Sequence, residues 1–453
     1  MNVAPQGAAT TAPATVTFRD VFSVREFRSL WLAQVLSVAG DQLARVAMTV
    51  LVYDQTRSAF WSALTYAVTL VPWIFGGLAL SGLADRLPRR QLMVGSDVAR
   101  MVLVGAMALL SLRYATGAGL LVLVGLLFLV TLLDSPFKAA RSAMMPDILT
   151  GGLYVLGVAV SQTALQAGLV AGFALGGVIV AALHASGALS LDAATFAASA
   201  LLVQLGVRCR PSAAGAVTRS GSRLGEIMAG VRLVFGRGVL RTLVLFGWLV
   251  TFYVVPMGLA APLAASLRAS FPLAVTTGLI FAAGPLGTMI GAIMFSRFVP
   301  AERRPAWLGP LAVMACGTLV LVALRLDLAA LLAVIAVSGA GASYQLAANA
   351  AFVAAVPPGR RGQAFGLANG GMQVFQGLWI VLAGAIAAHV LAPGTVVAIS
   401  GGIGAALAAA LALVRRREAA QQESAVPVRS TRRASAVSFQ RSECGSTADK
   451  SGS

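Results

Sequence analysis

Charge is what this sequence has least of. Of its 453 residues, 11% are charged and 58% hydrophobic, and the mean hydropathy is +0.85. A soluble domain carries about 25% charged residues, so a soluble globule is excluded. Lysine is nearly absent, with Lys138 and Lys450 alone. Neither closes a Gly-x-x-x-x-Gly-Lys-Ser/Thr loop, so no ATP-binding P-loop is encoded. The histidines, His184 and His389, cannot form a His-Glu-x-x-His zinc motif, and no Gly-x-Ser-x-Gly elbow occurs. Cys209, Cys316 and Cys444 are scattered, which suits neither a disulfide framework nor a thiolate metal site. These absences argue against an enzyme and against any bound metal or cofactor. If the protein pumps, an ion gradient supplies the energy.

What is present is apolar sequence in long continuous runs. Continuous runs disfavour a β-barrel, whose strands alternate. In lipid such runs must be helices that satisfy their own backbone. The expectation is therefore an all-α integral membrane protein of about twelve helices, each of roughly 20 residues. The segments fall near 30–52, 62–81, 94–112, 118–137, 153–183, 190–207, 241–263, 274–296, 307–324, 328–356, 364–390 and 395–414.

Arginine fixes the expected orientation. Apart from Arg45 and Arg100, which fall inside segments, only Arg57, Arg113, Arg268 and Arg325 lie on one side; every other basic residue lies on the opposite side. By the positive-inside tendency both termini are cytoplasmic. That placement also explains the net charge of +18 without nucleic acid as a partner. Residues 1–21 read as a disordered cytoplasmic tail with no signal-peptide pattern. Residues 22–208 and 241–414 read as two six-helix halves. Between them, 209–240 forms a cytoplasmic connector. Within it Leu224, Ile227, Val231, Val234 and Phe235 share one face of an amphipathic helix laid on the membrane. Residues 415–453 read as a disordered basic tail touching anionic lipid. A weak repeat supports the halves: Ser296-Arg297 to Arg303-Arg304 is a degraded copy of Asp85-Arg86-Leu87-Pro88-Arg89-Arg90, as paired transporter halves show.

That loop, Ser81 to Arg90, resembles the signature of the major facilitator superfamily, Gly-x-Leu-Ala-Asp-Arg-x-Gly-Arg-Arg/Lys. Leu83, Ala84, Asp85, Arg86, Arg89 and Arg90 match; Ser81 and Pro88 replace the glycines. Phe27 to Trp31, Ser37 to Asp41, Ala140 to Asp147 and Leu191 to Phe196 are similar to the drug:proton antiporter branch that includes macrolide-efflux-like and enterobactin-exporter-like proteins. The resemblance covers about Phe22 to Arg417. Gly168, Gly172, Gly176 and Gly177 resemble the antiporter motif Gly-x-x-x-Gly-Pro-x-x-Gly-Gly, with Phe173 in place of the proline. Glycines four apart let a neighbouring helix approach closely. They form either a static packing seam or, as the resemblance implies, a seal between the halves that blocks leak.

Charges inside the membrane mark function by default. Asp41 and Arg45 are four apart on one helical face, either as a structural ion pair or as a proton switch that an incoming cation competes for. Asp134 is expected to pair with Lys138, with a proton-relay role as the alternative. Asp192, at the expected start of the sixth helix, reads as a cap. Asp97 and Arg100 are expected to extend the charge network of the Asp85 loop. Asp85, Arg86, Arg89 and Arg90 would hold a cytoplasmic gate, with Asp85 facing a helix dipole near Gly362. The resemblance implies a cavity from the first, fourth, seventh and tenth helices. Gln34, Gln42, Thr131, Trp248, Thr251, Tyr253, Tyr344, Gln345 and Asn349 are its candidates, while Gln373 and Gln376 read as interhelical glue. The leading reading is proton-driven export of a small amphiphilic compound by a monomer in contact with membrane lipid. An uptake permease of the same fold and a non-transporting receptor or scaffold remain open.

Overall fold

The computed structural model describes residues 17–70, 72, 87–113, 117–210, 223–267, 269–357 and 360–425. Asp85, Arg86, Arg268 and the ends of both tails lie outside them. Among the described residues every regular element is a helix. These are α1 Phe18–Ser23, α2 Arg25–Thr56, α3 Ala59–Val68, α4 Arg89–Arg113, α5 Ala118–Ile148, α6 Gly151–Gly206 and α7 Arg223–Phe235. There follow α8 Gly238–Gly258, α9 Ala260–Ser266, α10 Leu273–Phe298, α11 Ala301–Leu324, α12 Leu328–Ala355, α13 Arg361–His389 and α14 Pro393–Ala425. Ten described helices are long and apolar enough to cross a membrane.

α6 holds two of the expected spans in one element of 56 residues. Run straight it would reach about 84 Å, far beyond a hydrocarbon core of about 30 Å. Instead His184, at φ 59° and ψ 177°, breaks it into limbs 151–183 and 185–206. Both limbs pack on α2. Gly168, Gly172 and Gly176 meet α2 near Val38, Gln42 and Leu43 in parallel order, whereas Asp192 meets Gly40 and Gly206 meets Ser29 in antiparallel order. The chain therefore reverses at His184. α3 begins the expected second span, whose continuation lies outside the described residues.

α8 is interrupted at Leu249 and Val254. In a membrane the carbonyls freed by such breaks need internal partners. The Tyr344 hydroxyl donates to the Phe246 carbonyl at 2.9 Å, and the Ser400 hydroxyl donates to that of Phe252 at 3.2 Å. α12 and α14 thus complete what α8 cannot satisfy alone.

Two expectations about the edges change. The last helix continues to Ala425, past the expected end of order at 414. Residues 18–23 are helical, with Thr17 donating to the Asp20 carboxylate at 2.9 Å through its amide and 2.7 Å through its hydroxyl. The connector helix α7 does form, but Leu233 and Val234 are buried in a cluster with Leu240, Phe352 and Ala364. It is docked on the second half, not merely laid on lipid.

Among the described residues the apolar core joins the two halves at one end. Its largest cluster runs from Leu43 and Tyr66 through Phe173 to Phe281, Ile335 and Ile380. The other clusters each stay within one half: Leu30, Met93, Phe137 and Val203 in the first, and Phe246, Phe295, Leu308 and Tyr344 in the second. The bridging contacts adjoin the turns at Arg57, His184 and His389, on the side away from the termini. We call this the far side.

Candidate functional site

The polar residues of α2, α4, α5 and the second limb of α6 converge on one guanidinium. Arg100 on α4 is fully buried. Its Nη2 donates to Asp41 Oδ1 at 2.5 Å and its Nη1 to Ser37 Oγ at 3.1 Å. The same Nη1 lies 3.7 Å from Asp97 Oδ1 and 3.8 Å from Asp134 Oδ1. Its flat face rests 4.0 Å from the centroid of the Phe196 ring. Lys138 Nζ holds Asp134 Oδ2 at 2.5 Å, as the i, i+4 spacing predicts. The Ser199 hydroxyl donates to Asp97 Oδ2 at 2.6 Å.

This arrangement corrects two expectations, on Asp41 and on Asp192. Asp41 pairs with Arg100, not Arg45. Arg45 instead lies 5.8 Å from the centroid of the Tyr66 ring, because the guanidinium of a neighbouring helix reaches the carboxylate directly. Asp97 and Arg100 are both 0% exposed and belong to this interior cluster; Asp85, whose network they were expected to extend, lies outside the described residues. Asp192 is not a cap. Helix resumes immediately after His184, which places Asp192 two turns inside the limb and fully buried. Ser37, Phe196 and Ser199 were missed. Their only sequence signal is that they share helical faces with Asp41 and Asp192.

The glycine motif divides. A Cβ on Gly168, Gly172 or Gly176 would meet Val38, Gln42 or Leu43 of the same half. Gly177 alone crosses: a Cβ there would lie 2.6 Å from the Ala274 carbonyl oxygen and 3.1 Å from Gly278 Cα. Phe173, where the motif has proline, stacks on Phe281 with centroids 4.9 Å apart. Tyr66 stacks on the same Phe281 at 5.9 Å, and its hydroxyl donates to Met257 Sδ at 3.2 Å. On the second seam Gly384 packs on Ala63 and the Ala59 carbonyl.

On the terminus side Arg89 donates to the Asp147 carboxylate at 2.5 Å and to the Ala143 carbonyl at 2.8 Å. Arg90 donates to the Gln204 carbonyl. Both partners sit in the first half, so these two arginines brace that half instead of reaching across to the second.

The cavity candidates scatter. Gln34 accepts from Arg141, and Gln42 Nε2 donates to the Val38 carbonyl at 3.3 Å. Thr131 bonds its own helix at Leu127. Trp248 donates to the Ala368 carbonyl at 3.0 Å. Tyr344 and Thr251 are fully buried, whereas Asn349 is exposed. Gln345 Nε2 donates to Tyr253 Oη at 2.7 Å, and the two share a polar pair in the second half. Gln376 is buried, consistent with packing between helices.

With this geometry in place, comparison with known proteins is informative. The chain is 86% covered by the nucleoside transporter NupG, of which it covers 98%, at 13% identity and a TM-score of 0.68. It matches the POT family transporter PepTSo over 88% of its own length and 99% of that chain, at 15% identity and a TM-score of 0.67. The chain shares the fold of these two proteins. Helices too few in the described set to count twelve spans are completed by the two limbs of α6 and by α3. No protein-family profile matches the chain. Among curated proteins it is similar to the multidrug efflux pump Tap of Mycolicibacterium fortuitum, 27% identical over 231 residues, 50% of this chain and 56% of that protein. The chain thus spans about half the length of the curated relatives it matches. It is a multi-pass membrane protein.

Proposed function

We propose that the chain is a secondary active transporter that exports a small amphiphilic organic compound in exchange for protons. The observation that carries this reading is the 2.5 Å contact of Asp41 with Arg100 deep among membrane helices. Asp41 is one-fifth exposed while Arg100 is sealed, at 21% and 0%. The carboxylate is therefore the partner that a proton or a cationic substrate reaches first. A proton on Asp41 removes Arg100's nearest counter-ion, and the guanidinium turns to Asp97 and Asp134, already within 4 Å. A cation bound at Asp41 competes with that proton, and competition for one site is what couples two fluxes. The part-length similarity to pumps named for multidrug efflux supports the outward direction.

In this reading both termini are cytoplasmic, so the far-side contacts of Gly177 with Gly278 and Gly384 with Ala63 form the outer seal. The site then faces the cytoplasm, where export loads its substrate. Asp134 with Lys138 tunes the charge around Asp41, and Tyr253 with Gln345 contributes the polar wall of the second half. The chain works as a monomer in lipid and catalyses no bond chemistry. The test is pH-gradient-driven accumulation of ethidium in the lumen of inside-out vesicles, whose outer surface is the cytoplasmic face. Asp41→Asn is expected to abolish it while the protein remains folded; full coupled export by that variant would refute the reading.

A further inference from the structure

Asp192 has no role in the exchange just described, yet among the described acids it is fully buried with no cation beside it. Its side chain is 0% exposed. Oδ1 shares the Thr195 hydroxyl, at 3.2 Å, with the Asp192 backbone carbonyl, to which that hydroxyl donates at 2.8 Å; Oδ2 has no hydrogen-bond partner among the described residues. No arginine or lysine among them lies within ion-pair distance of it, in contrast to Asp41, Asp97 and Asp134, which all face Arg100. The chain makes room for it deliberately. A Cβ on Gly40 would lie 2.1 Å from Asp192 Oδ1 and 2.3 Å from Thr195 Oγ1, so only glycine fits at the residue preceding Asp41.

An ionised carboxylate without a cation or a set of donors is not sustained in an apolar interior; it takes a proton instead. The groups facing Asp192 do not change that outcome. From α2 it feels the negative Asp41, and from α4 the guanidinium of Arg100, whose charge Asp41 already holds. Asp97, also on α4, is turned to Ser199, and Arg45 of α2 is turned to Tyr66. We propose that Asp192 is a second proton-binding site, occupied as a neutral acid in the far-side-closed state and set directly behind Asp41. Its link to transport rests on the proton-exchange reading above. Phe196, one turn along the same limb, carries the Arg100 guanidinium on its ring. When a cationic substrate takes Asp41 from Arg100, Asp192 can give its proton to water from the cytoplasm and join Asp97 and Asp134 as a carboxylate facing the guanidinium.

Infrared spectroscopy of the purified full chain in lipid nanodiscs reads this site with no substrate present. The wild type is expected to show the carbonyl band of a protonated carboxyl at neutral pH. Asp192→Asn, which keeps the shape of a neutral acid, should remove that band, and Asp41→Asn should leave it. Thr195→Val should move it to higher frequency by removing a donor to the acid's carbonyl, which gives a second reading should Asp192→Asn fold poorly. A band that survives Asp192→Asn and disappears in Asp97→Asn would overturn the proposal, as would no band in the wild type. In vesicles, the protons moved per tetraphenylphosphonium exported should fall by one in Asp192→Asn; an unchanged ratio would overturn the transport role. A wild type that exports tetraphenylphosphonium without moving protons would instead refute the proton-exchange reading, with the infrared assignment judged separately.

Discussion

Gly278→Ala is the smallest change that separates the two conformations of this fold. The added methyl would lie 2.6 Å from the Phe173 carbonyl oxygen, 2.8 Å from Gly177 Cα and 2.9 Å from Gly177 N. All three are backbone atoms of a transmembrane helix and cannot swing aside as a flexible side chain would. Overpacking of this kind costs about 1–3 kcal/mol. The strain exists only while α10 and the first limb of α6 are in contact, so it falls on the far-side-closed state alone. At about 1.4 kcal/mol per tenfold, a closed state favoured by roughly ten to one would be brought to about two to one or inverted. The assay is maleimide labelling of Thr277→Cys, a residue buried in the seal, in a background lacking Cys209, Cys316 and Cys444. Gly278→Ala should raise the labelling rate by roughly 4- to 10-fold, since an open population that starts near a tenth has no more than about elevenfold to gain. Gly105→Ala is the control, because nothing lies within 4 Å of a Cβ there. Labelling in Gly278→Ala equal to that control would refute the argument that this contact keeps the far side shut.

Removing one partner of a buried ion pair leaves the other uncompensated, at about 3–5 kcal/mol. Arg100→Met should therefore lower thermal stability sharply, and adding Asp41→Asn should restore part of it; a differential scanning measurement compares the two. Phe173→Ala removes the stack on Phe281 and should cost about 3–5 kcal/mol by large-to-small truncation, with faster far-side labelling as its signature. At the N-terminus, hydrogen bonds from the Thr17 amide and hydroxyl hold the Asp20 carboxyl below its ordinary value. Its support for α1 is therefore present above the ordinary carboxylate range and is lost as pH falls through the lowered value. Hydrogen exchange at the Thr17 amide should quicken over that interval.

The spans were legible because a bilayer demands continuous apolar runs, and such runs can be counted. The reversal between the fifth and sixth spans was expected within 184–189 and falls at His184; its tightness was not legible, since nothing in Leu183-His184-Ala185 resembles a turn and a single residue at φ 59° takes the place of a loop. Local spacing also misled at Asp41. The i, i+4 rule is right about which residues share a face, and it found Asp134 with Lys138. It has no knowledge of which helix lies opposite, and for Asp41 the opposite helix supplied Arg100. The glycine motif shows the same limit. Its spacing announced close packing, but only the structure shows that three glycines serve α2 and one serves α10. The cavity candidates were chosen by residue type, and type does not say whether a hydroxyl or amide is already spent on a nearby carbonyl.

The pairing inside the first half has an electrical consequence. Arg100 with Asp41 and Lys138 with Asp134 form a quartet of zero net charge. Carrying one elementary charge through the membrane field is worth about 2.3 kcal/mol per 100 mV, so a lone arginine there would make any movement of these helices a voltage sensor. The quartet moves through the field without electrical work. Membrane voltage then acts on this half only through the charges outside the quartet, Arg45 on the Tyr66 ring and Asp97 beside Arg100 among them.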